Sequence, residues 1–217
     1  VQGFGELDPV NVYGIGVDDV DGDGNVDVLL ASYLWETFLC LGDGTGDFPE
    51  WLPLWGEGTG MVTGVMGDFD GDGSLDLFFG GAQANVVCPQ FCERGHLAQD
   101  CCNELETYAT RDAAAADLDG DGIAELLLAT GLDNGPSIPN RVCDVATRRC
   151  DPIAAEKDGS DEVMTGDVDG DGDIDVLFLE VGFLVCLNDG TGELECQTIP
   201  LPMNETETML VAGVLVP

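Results

Sequence analysis

Four short apolar runs, each placed directly after an acidic and glycine-rich segment, set the pattern of this chain. The runs cover residues 26–31, 75–80, 124–129 and 174–179. A short and nearly continuous apolar run predicts a β-strand that is buried on both faces. Another strand, rich in small residues, is predicted before each acidic segment, at residues 13–17, 62–66, 113–116 and 163–166. Small residues suit a strand that packs close to a crowded axis.

Two more strands follow in each repeat and are predicted to form a hairpin, most clearly at residues 38–48 and 183–194. Four strands repeated about every 49 residues are typical of the blades of a β-propeller, which pack face to face. We therefore predict an all-β, propeller-like array of four blades in a single domain of residues 1–217. The predicted repeats are approximately 10–58, 59–108, 109–158 and 159–208, with a terminal strand at 209–217.

The acidic segments share the pattern D-x-D-G-D-G-x-x-[DE], and their first residues lie 49, 49 and 50 positions apart. Carboxylates at alternate positions of a glycine-rich loop suit Ca²⁺, which takes roughly 6–8 oxygen ligands. Position 7 varies and includes an isoleucine, so it is expected to contribute its backbone carbonyl. We predict about four Ca²⁺ ions per chain, held by positions 1, 3, 5, 7 and 9 of each loop: Asp19, Asp21, Asp23, Asn25 and Asp27; Asp68, Asp70, Asp72, Ser74 and Asp76; Asp117, Asp119, Asp121, Ile123 and Glu125; and Asp167, Asp169, Asp171, Asp173 and Asp175.

These loops differ from EF-hands, which need a bidentate Glu at position 12 and a helix on each side. Position 12 here is Leu or Phe. Position 2 is always apolar and is predicted to insert into a core: Val20, Phe69, Leu118 and Val168. Acidic turns that bind nothing are the alternative, which four matched copies disfavour. We expect the calcium to be structural rather than catalytic.

Charge narrows the range of partners. The chain has 43 acidic and 6 basic residues, for a formal charge of −37, which argues against nucleic acid and anionic membrane as partners. The hydrophobic content of 44% argues against disorder. No stretch approaches the roughly 18 apolar residues of a membrane span. All six bases lie between Arg94 and Lys157, either as local charge relief or as a docking patch for an acidic ligand or another copy.

Nine cysteines indicate a disulfide-permissive, extracellular setting. Eight cysteines can pair in 105 ways, so connectivity is inferred only from position along the predicted hairpins. We expect the bonds Cys143–Cys150 and Cys186–Cys196, two more bonds among Cys88, Cys92, Cys101 and Cys102, and a free Cys40. A zinc site is disfavoured because the chain has one histidine, His96, and no C-x-x-C motif.

The acidic loop, the strand that follows it and the segment V-C-L-N-D-G-T-G-E-L at residues 185–194 resemble FG-GAP/VCBS repeats. These are the calcium-loop blades of integrin α-subunit propellers and of many bacterial surface proteins and lectins. The resemblance covers nearly the whole chain, but repeats two and three depart from it through cysteine-bearing insertions at residues 82–110 and 131–162. It implies a propeller fold and calcium binding, and a role in adhesion, recognition or as an accessory module rather than catalysis.

The chain ends suggest spare strands. Residues 209–217 resemble the first strand of a blade, and residues 1–9 resemble the strand that finishes one. Three interpretations stay open: a ring closed by pairing of its own ends, a fragment of a larger propeller, or strand sharing between neighbouring chains. Exposed strand edges favour pairing with a partner.

Two classes of function remain. The first is a calcium-stabilised extracellular recognition, adhesion or self-assembling module without catalytic activity, whose partner is a protein or glycan ligand or another copy of the chain. The second is a secreted, carbohydrate-active hydrolase or lyase with a propeller pocket. Because most clustered carboxylates lie in the loops and His96 stands alone, we favour the first class. The three tryptophans are expected to pack in the core or between blades, with stacking on a sugar as the alternative: Trp35, Trp51 and Trp55.

Overall fold

The structure, a computed structural model, describes residues 12–34, 36–55, 60–82, 84–89, 102–105, 108–131, 138–153, 159–179 and 182–200. These residues form sixteen β-strands. No helix in these ranges is long and apolar enough to cross a membrane. The predicted end strands at residues 1–9 and 209–217 lie outside the described residues, as do His96 and Trp35.

The strands form four antiparallel sheets, each with four strands in chain order. The first sheet holds β1 Val12–Asp18, β2 Asp27–Ser32, β3 Thr37–Leu41 and β4 Glu50–Trp55. The second holds β5 Met61–Gly67, β6 Asp76–Gly81, β7 Asn85–Cys88 and β8 Asn103–Glu104. The third holds β9 Thr110–Ala116, β10 Glu125–Thr130, β11 Arg141–Asp144 and β12 Arg149–Pro152. The fourth holds β13 Glu162–Gly166, β14 Asp175–Leu179, β15 Gly182–Asn188 and β16 Leu194–Pro200.

The sheets stack like consecutive blades through their first strands. β1 packs on β5, β5 on β9, and β9 on β13. The described residues show no comparable packing between β13 and β1, so the four sheets form an open array. The predicted all-β, blade-like architecture is thus confirmed, whereas a closed ring is not seen.

Glycines allow the first strands to approach closely. A Cβ atom on Gly14 would lie 2.6 Å from the Cα atom of Thr63, and one on Gly16 would lie 2.9 Å from the carbonyl oxygen of Gly64. Separations this short exclude any larger side chain unless the backbone moves. These two glycines of the first strand therefore act as predicted for small residues: they let the first and second sheets meet at their inner edges.

Three apolar cores lie between the four sheets, and each uses alternate residues of the second strands, because successive side chains of a strand point to opposite faces. Each second strand turns one set of residues toward the preceding sheet and the alternate set toward the following sheet. The contacting sets are Leu29 and Ala31 with Leu77 and Phe79, then Phe78 with Leu126 and Leu128, then Leu127 and Ala129 with Val176 and Phe178.

Burial on both faces holds for the two central second strands only. Every residue of β6 is buried, and in β10 all but Glu125 are buried. In β2 and β14, buried residues alternate with half-buried ones. The prediction of burial on both faces is therefore wrong for the end sheets, because each has a neighbouring sheet on one side only among the described residues.

The disulfide predictions hold where the structure describes the cysteines. Cys143 is bonded to Cys150 and Cys186 to Cys196, across hairpins in each case. A third bond joins Cys88 and Cys102, within the predicted cluster, whereas Cys92 and Cys101 lie outside the described residues. Cys40 is free and buried, and burial raises the pKa of its thiol to about 11. Three disulfides are typical of a secreted or extracellular protein.

Asp112 connects three consecutive sheets near the inner strands. One carboxylate oxygen accepts a hydrogen bond from the Thr63 hydroxyl at 3.1 Å, and the other accepts one from the Val163 N–H at 3.1 Å. Burial raises the pKa of Asp112, and hydrogen bonds from the backbone and from Thr63 oppose that rise. Its carboxylate is therefore costly to bury but provides two acceptors at a junction between sheets.

Replacing Asp112 should reveal both effects. Asp112→Ala removes both acceptors, so we expect a loss of about 1–3 kcal/mol in the free energy of unfolding. Asp112→Asn, which keeps the shape and one acceptor, should cost less. Urea unfolding at neutral pH in saturating calcium gives the comparison. Equal stability of Asp112→Ala and the wild type would contradict this role.

The pH dependence has a definite sign. Because the folded protein holds the proton of Asp112 more tightly than the unfolded chain, this residue contributes stability below its ordinary pKa of 3.8 that is lost as the pH rises through the raised value. The stability of Asp112→Asn relative to wild type should therefore increase from acidic to neutral pH. The calcium loops titrate in both proteins and cancel in this difference.

Candidate metal centres

Each acidic loop connects the first and second strands of its sheet, so the fold places four similar loops at equivalent points. In the first loop Gly22 and Gly24 have φ angles of 73° and 90°, and the matching glycines of the other loops are similar. This region is left-handed and strongly favours glycine. The glycines thus allow the loop to curl until side chains at alternate positions point to one centre.

Positions 1, 3 and 9 of each loop converge. In every loop, one oxygen from each of these three carboxylates lies within 4.8 Å of the others. Two oxygens that share a Ca²⁺ ion at 2.3–2.6 Å can be at most about 5.2 Å apart, so the spacing fits a common ion. The four groups are Asp19, Asp21 and Asp27; Asp68, Asp70 and Asp76; Asp117, Asp119 and Glu125; and Asp167, Asp169 and Asp175.

Position 5 is placed differently from the other predicted ligands. Its carboxylate is not one of the three grouped at each centre. Like the carboxylates at positions 1 and 3, it accepts a backbone N–H of the loop, at 2.8 Å from Asn25 to Asp23 and 2.7 Å from Ser74 to Asp72. Position 7 is predicted to bind through its backbone carbonyl rather than through its side chain. These two positions therefore remain predicted ligands, whereas positions 1, 3 and 9 already share a centre.

The carboxylate at position 9 anchors the loop from inside the protein. Asp27, Asp76 and Asp175 are buried, and each accepts the N–H of position 2 of its own loop at 2.8–3.1 Å. Burial raises the pKa of Asp27, and nearby Asp21 raises it further. Burial likewise raises the pKa of Glu125, together with the other three acids of its loop. A buried carboxylate among other carboxylates is stabilised either by taking up a proton or by binding a cation.

Position 2 is the second internal anchor, with one exception. Val20, Phe69 and Leu118 are buried in the cores toward the following sheet, as predicted. Val168 is 45% exposed, so its predicted insertion is wrong. The reason is structural: the fourth sheet has no following sheet among the described residues, so no core exists there to receive the side chain.

The loops also contact one another along a single edge of the array. The Ala124 N–H in the third loop donates to the Asp68 carbonyl in the second at 2.8 Å. The Asn188 side chain donates to the Leu118 carbonyl of the third loop at 2.7 Å and to the Ile174 carbonyl of the fourth at 3.1 Å. The second, third and fourth loops are therefore connected by hydrogen bonds.

Asn188 is a positioning residue that the sequence reasoning did not single out. Its side-chain oxygen accepts the N–H groups of Gly190 and Gly192, and its own N–H donates to Asp175 at 2.9 Å. It thus holds the β15–β16 turn against the fourth loop. The segment N-D-G-T-G carried the signal, but its partner in the third loop is 70 residues away in sequence.

A cleft between the third and fourth sheets is the second candidate feature. Its polar lining includes Thr147, Arg149 and Glu193, and Ile153 and Leu194 supply apolar surface. Arg149 lies 2.9 Å from Asp151 in an exposed ion pair.

The predicted packing role of Trp51 agrees with its edge contact to Phe38, with ring centroids 5.8 Å apart.

Comparison with protein families supports the assignment of the first two loops to a known repeat. A model of the FG-GAP-like repeat matches residues 19–79, which hold the first two acidic loops and the strands between them. The predicted FG-GAP resemblance is confirmed. The FG-GAP match covers the first acidic loop through the second strand of the second sheet, and the same loop geometry recurs in the other two sheets. No curated protein matches the sequence.

Among solved structures, the chain is similar to a lectin from Agrocybe aegerita whose structure concerns specific recognition of non-reducing terminal N-acetylglucosamine. The TM-score is 0.54 and the sequence identity 18%, over 84% of this chain and 50% of the lectin chain. At this identity the likeness concerns the fold. The present chain spans about half the length of that lectin.

Proposed function

We propose that this protein is a calcium-stabilised extracellular recognition module without catalytic activity. The observation that carries the proposal is the convergence of three carboxylates beside each of the four sheets, with the position-9 acid buried in three of the loops and half-buried in the third loop. The FG-GAP-like repeat, the three disulfides and the fold shared with a lectin support recognition outside the cell.

Calcium suits these centres better than other common ions. The converging ligands are carboxylate oxygens, which favour hard cations over zinc. Magnesium demands a near-ideal octahedron at about 2.0–2.1 Å and keeps several waters, whereas calcium accepts irregular sets of oxygens at longer distances. A curled loop with carboxylates at positions 1, 3, 5 and 9 and a carbonyl at position 7 supplies such an irregular set. We propose about four Ca²⁺ ions per chain, one in each loop.

Recognition would use surfaces that the calcium loops hold in place. The cleft between the third and fourth sheets is flanked by Gly192 in the β15–β16 turn of the fourth sheet and by Glu125 of the third loop. Polar side chains beside apolar surface are typical of ligand sites. We propose this cleft for a glycan ligand, with a protein ligand as the alternative. A hydrolase or lyase is the less favoured reading, because the grouped acids of the described residues all lie in the loops.

Calcium stoichiometry tests the metal assignment. After dialysis against trace calcium, we expect about four equivalents per chain. Asp76→Asn keeps the shape of a buried ligand but removes its charge, so it should lower the count by about one. Asp47→Asn changes the charge equally at an exposed residue outside the loops and should retain the full count. One equivalent or none in the wild type would contradict the assignment.

Glycan binding tests the recognition role. On an array of immobilised glycans, we expect the calcium-loaded chain to bind and the chelated chain to lose binding, because the loops position the cleft. Arg149→Ala should weaken binding at least severalfold. Arg148→Ala is the matched control, since Arg148 contacts Asn103 at 2.7 Å away from this cleft. Equal binding by both variants would contradict the placement of the ligand site.

A further inference from the structure

The first sheet has an apolar face that no other described sheet covers. Tyr13, Ile15 and Val17 alternate along β1 on this face and are 60%, 65% and 62% exposed. Leu30 and Val28 of β2 share it, because they pair with Ile15 and Val17. Contiguous exposed apolar surface of this kind marks an interaction site rather than ordinary surface.

The fourth sheet also has a face that no other described sheet covers, on the side away from the third sheet. Val168 and Ile199 are each 45% exposed, and Leu177 and Met164 are half-buried on the same sheet. The residues that match Leu177 in the earlier sheets are Leu29, Phe78 and Leu127, and all three are fully buried. Leu54 of β4 lies on the corresponding face of the first sheet and is only 5% exposed.

The internal interfaces show what covers each kind of face. We call the side of a sheet that packs on the preceding sheet its leading face, and the other side its trailing face. Phe178 of the fourth sheet lies on a leading face and packs with Leu127 and Ala129 on the trailing face of the third. Val163, which pairs with Phe178, is 5% exposed, while its counterpart Ile15 in the first sheet is open to solvent.

The two uncovered faces are therefore the two halves of one interface that the molecule already builds three times. The first sheet presents an unused leading face and the fourth an unused trailing face. In each internal interface a trailing face meets a leading face. The same stacking applied once more would bury both faces, and it requires a sheet of this type as the partner.

A polar contact at the inner edge follows the same rule. In the third sheet, Asp112 accepts the N–H of Val163 in the following sheet. Glu162 holds the position of Asp112 in the fourth sheet, five residues before the first loop acid, and it is exposed. Ile15 of the first sheet holds the position of Val163, so its backbone N–H is the matching donor. A carboxylate acceptor and a backbone donor thus stand at equivalent places on the two uncovered faces.

We propose that a second copy of this chain docks head to tail, with the trailing face of the fourth sheet in one copy on the leading face of the first sheet in the other. Within one copy, the described residues do not bring these faces together. If the fourth sheet of each copy packs on the first sheet of the other copy, all four of these faces are covered.

Electrostatics sets the conditions of association. The chain carries a formal charge of −37, so two copies repel one another at low ionic strength. The leading-face residues named above carry no charge, and the cations bound in the loops would offset part of the repulsion. Association should therefore be favoured by calcium and by moderate salt, as expected for an apolar interface between acidic molecules.

The test is the mass of the chain in solution, measured by light scattering over a concentration series in calcium and moderate salt. We expect a species of twice the 22.8 kDa chain mass. Ile15→Glu places a charge on the leading face and Ile199→Glu places one on the trailing face. Each variant alone should be monomeric. Both positions are exposed within a single copy, so the variants should remain folded, with circular dichroism spectra like that of the wild type.

Mixing the two variants gives the decisive result. An Ile15→Glu chain and an Ile199→Glu chain can still form one interface from their two unchanged faces, so the mixture should recover a pair. Thr198→Glu is the matched control, since it adds the same charge next to Ile199 but on the other side of the sheet, paired with Leu184. The Thr198→Glu chain should still form a pair of copies. A wild type with the mass of one chain throughout, or a mixture without recovery, would overturn the proposal.

Discussion

Repulsion among the carboxylates of each loop is the constraint on which the rest of the structure depends. Three acids per loop share a centre within 4.8 Å, and the position-9 acid is buried in three of the four loops and half-buried in the third loop. That acid also fixes the start of the loop through the N–H of position 2, whose side chain enters the next core in the first three sheets. Charge balance at the loop and apolar packing between sheets are therefore linked by adjacent residues.

Stacking is the second principle, and it explains differences between repeats of similar sequence. Position 2 is buried in three loops and exposed in the fourth, and the second strand is buried on both faces only in the central sheets. Neighbouring sheets determine these differences, since the residue types are alike. Asp112 and Asn188 strengthen the stack with polar contacts that cross from one sheet to the next.

The sequence predicted most of what depends on local pattern. Alternating acids and glycines located the loops, small residues located the inner strands, and cysteine positions across hairpins located two of the disulfides. It did not predict the exposure of Val168 or the partner of Asn188 in another repeat, because both depend on which sheets meet. Spacing also did not show which loop carboxylates converge: those at positions 1, 3 and 9 do, whereas position 5 remains a predicted ligand. Such choices depend on three-dimensional geometry that spacing alone does not specify.

The most direct test of the central claim is thermal unfolding of the purified chain, with its disulfides intact, in calcium and in excess chelator. If cations balance the buried loop acids, removing them should lower the melting temperature markedly, and adding calcium back should restore it. Magnesium at the same concentration should restore less, because its coordination is stricter. An unchanged melting temperature in excess chelator would contradict the account.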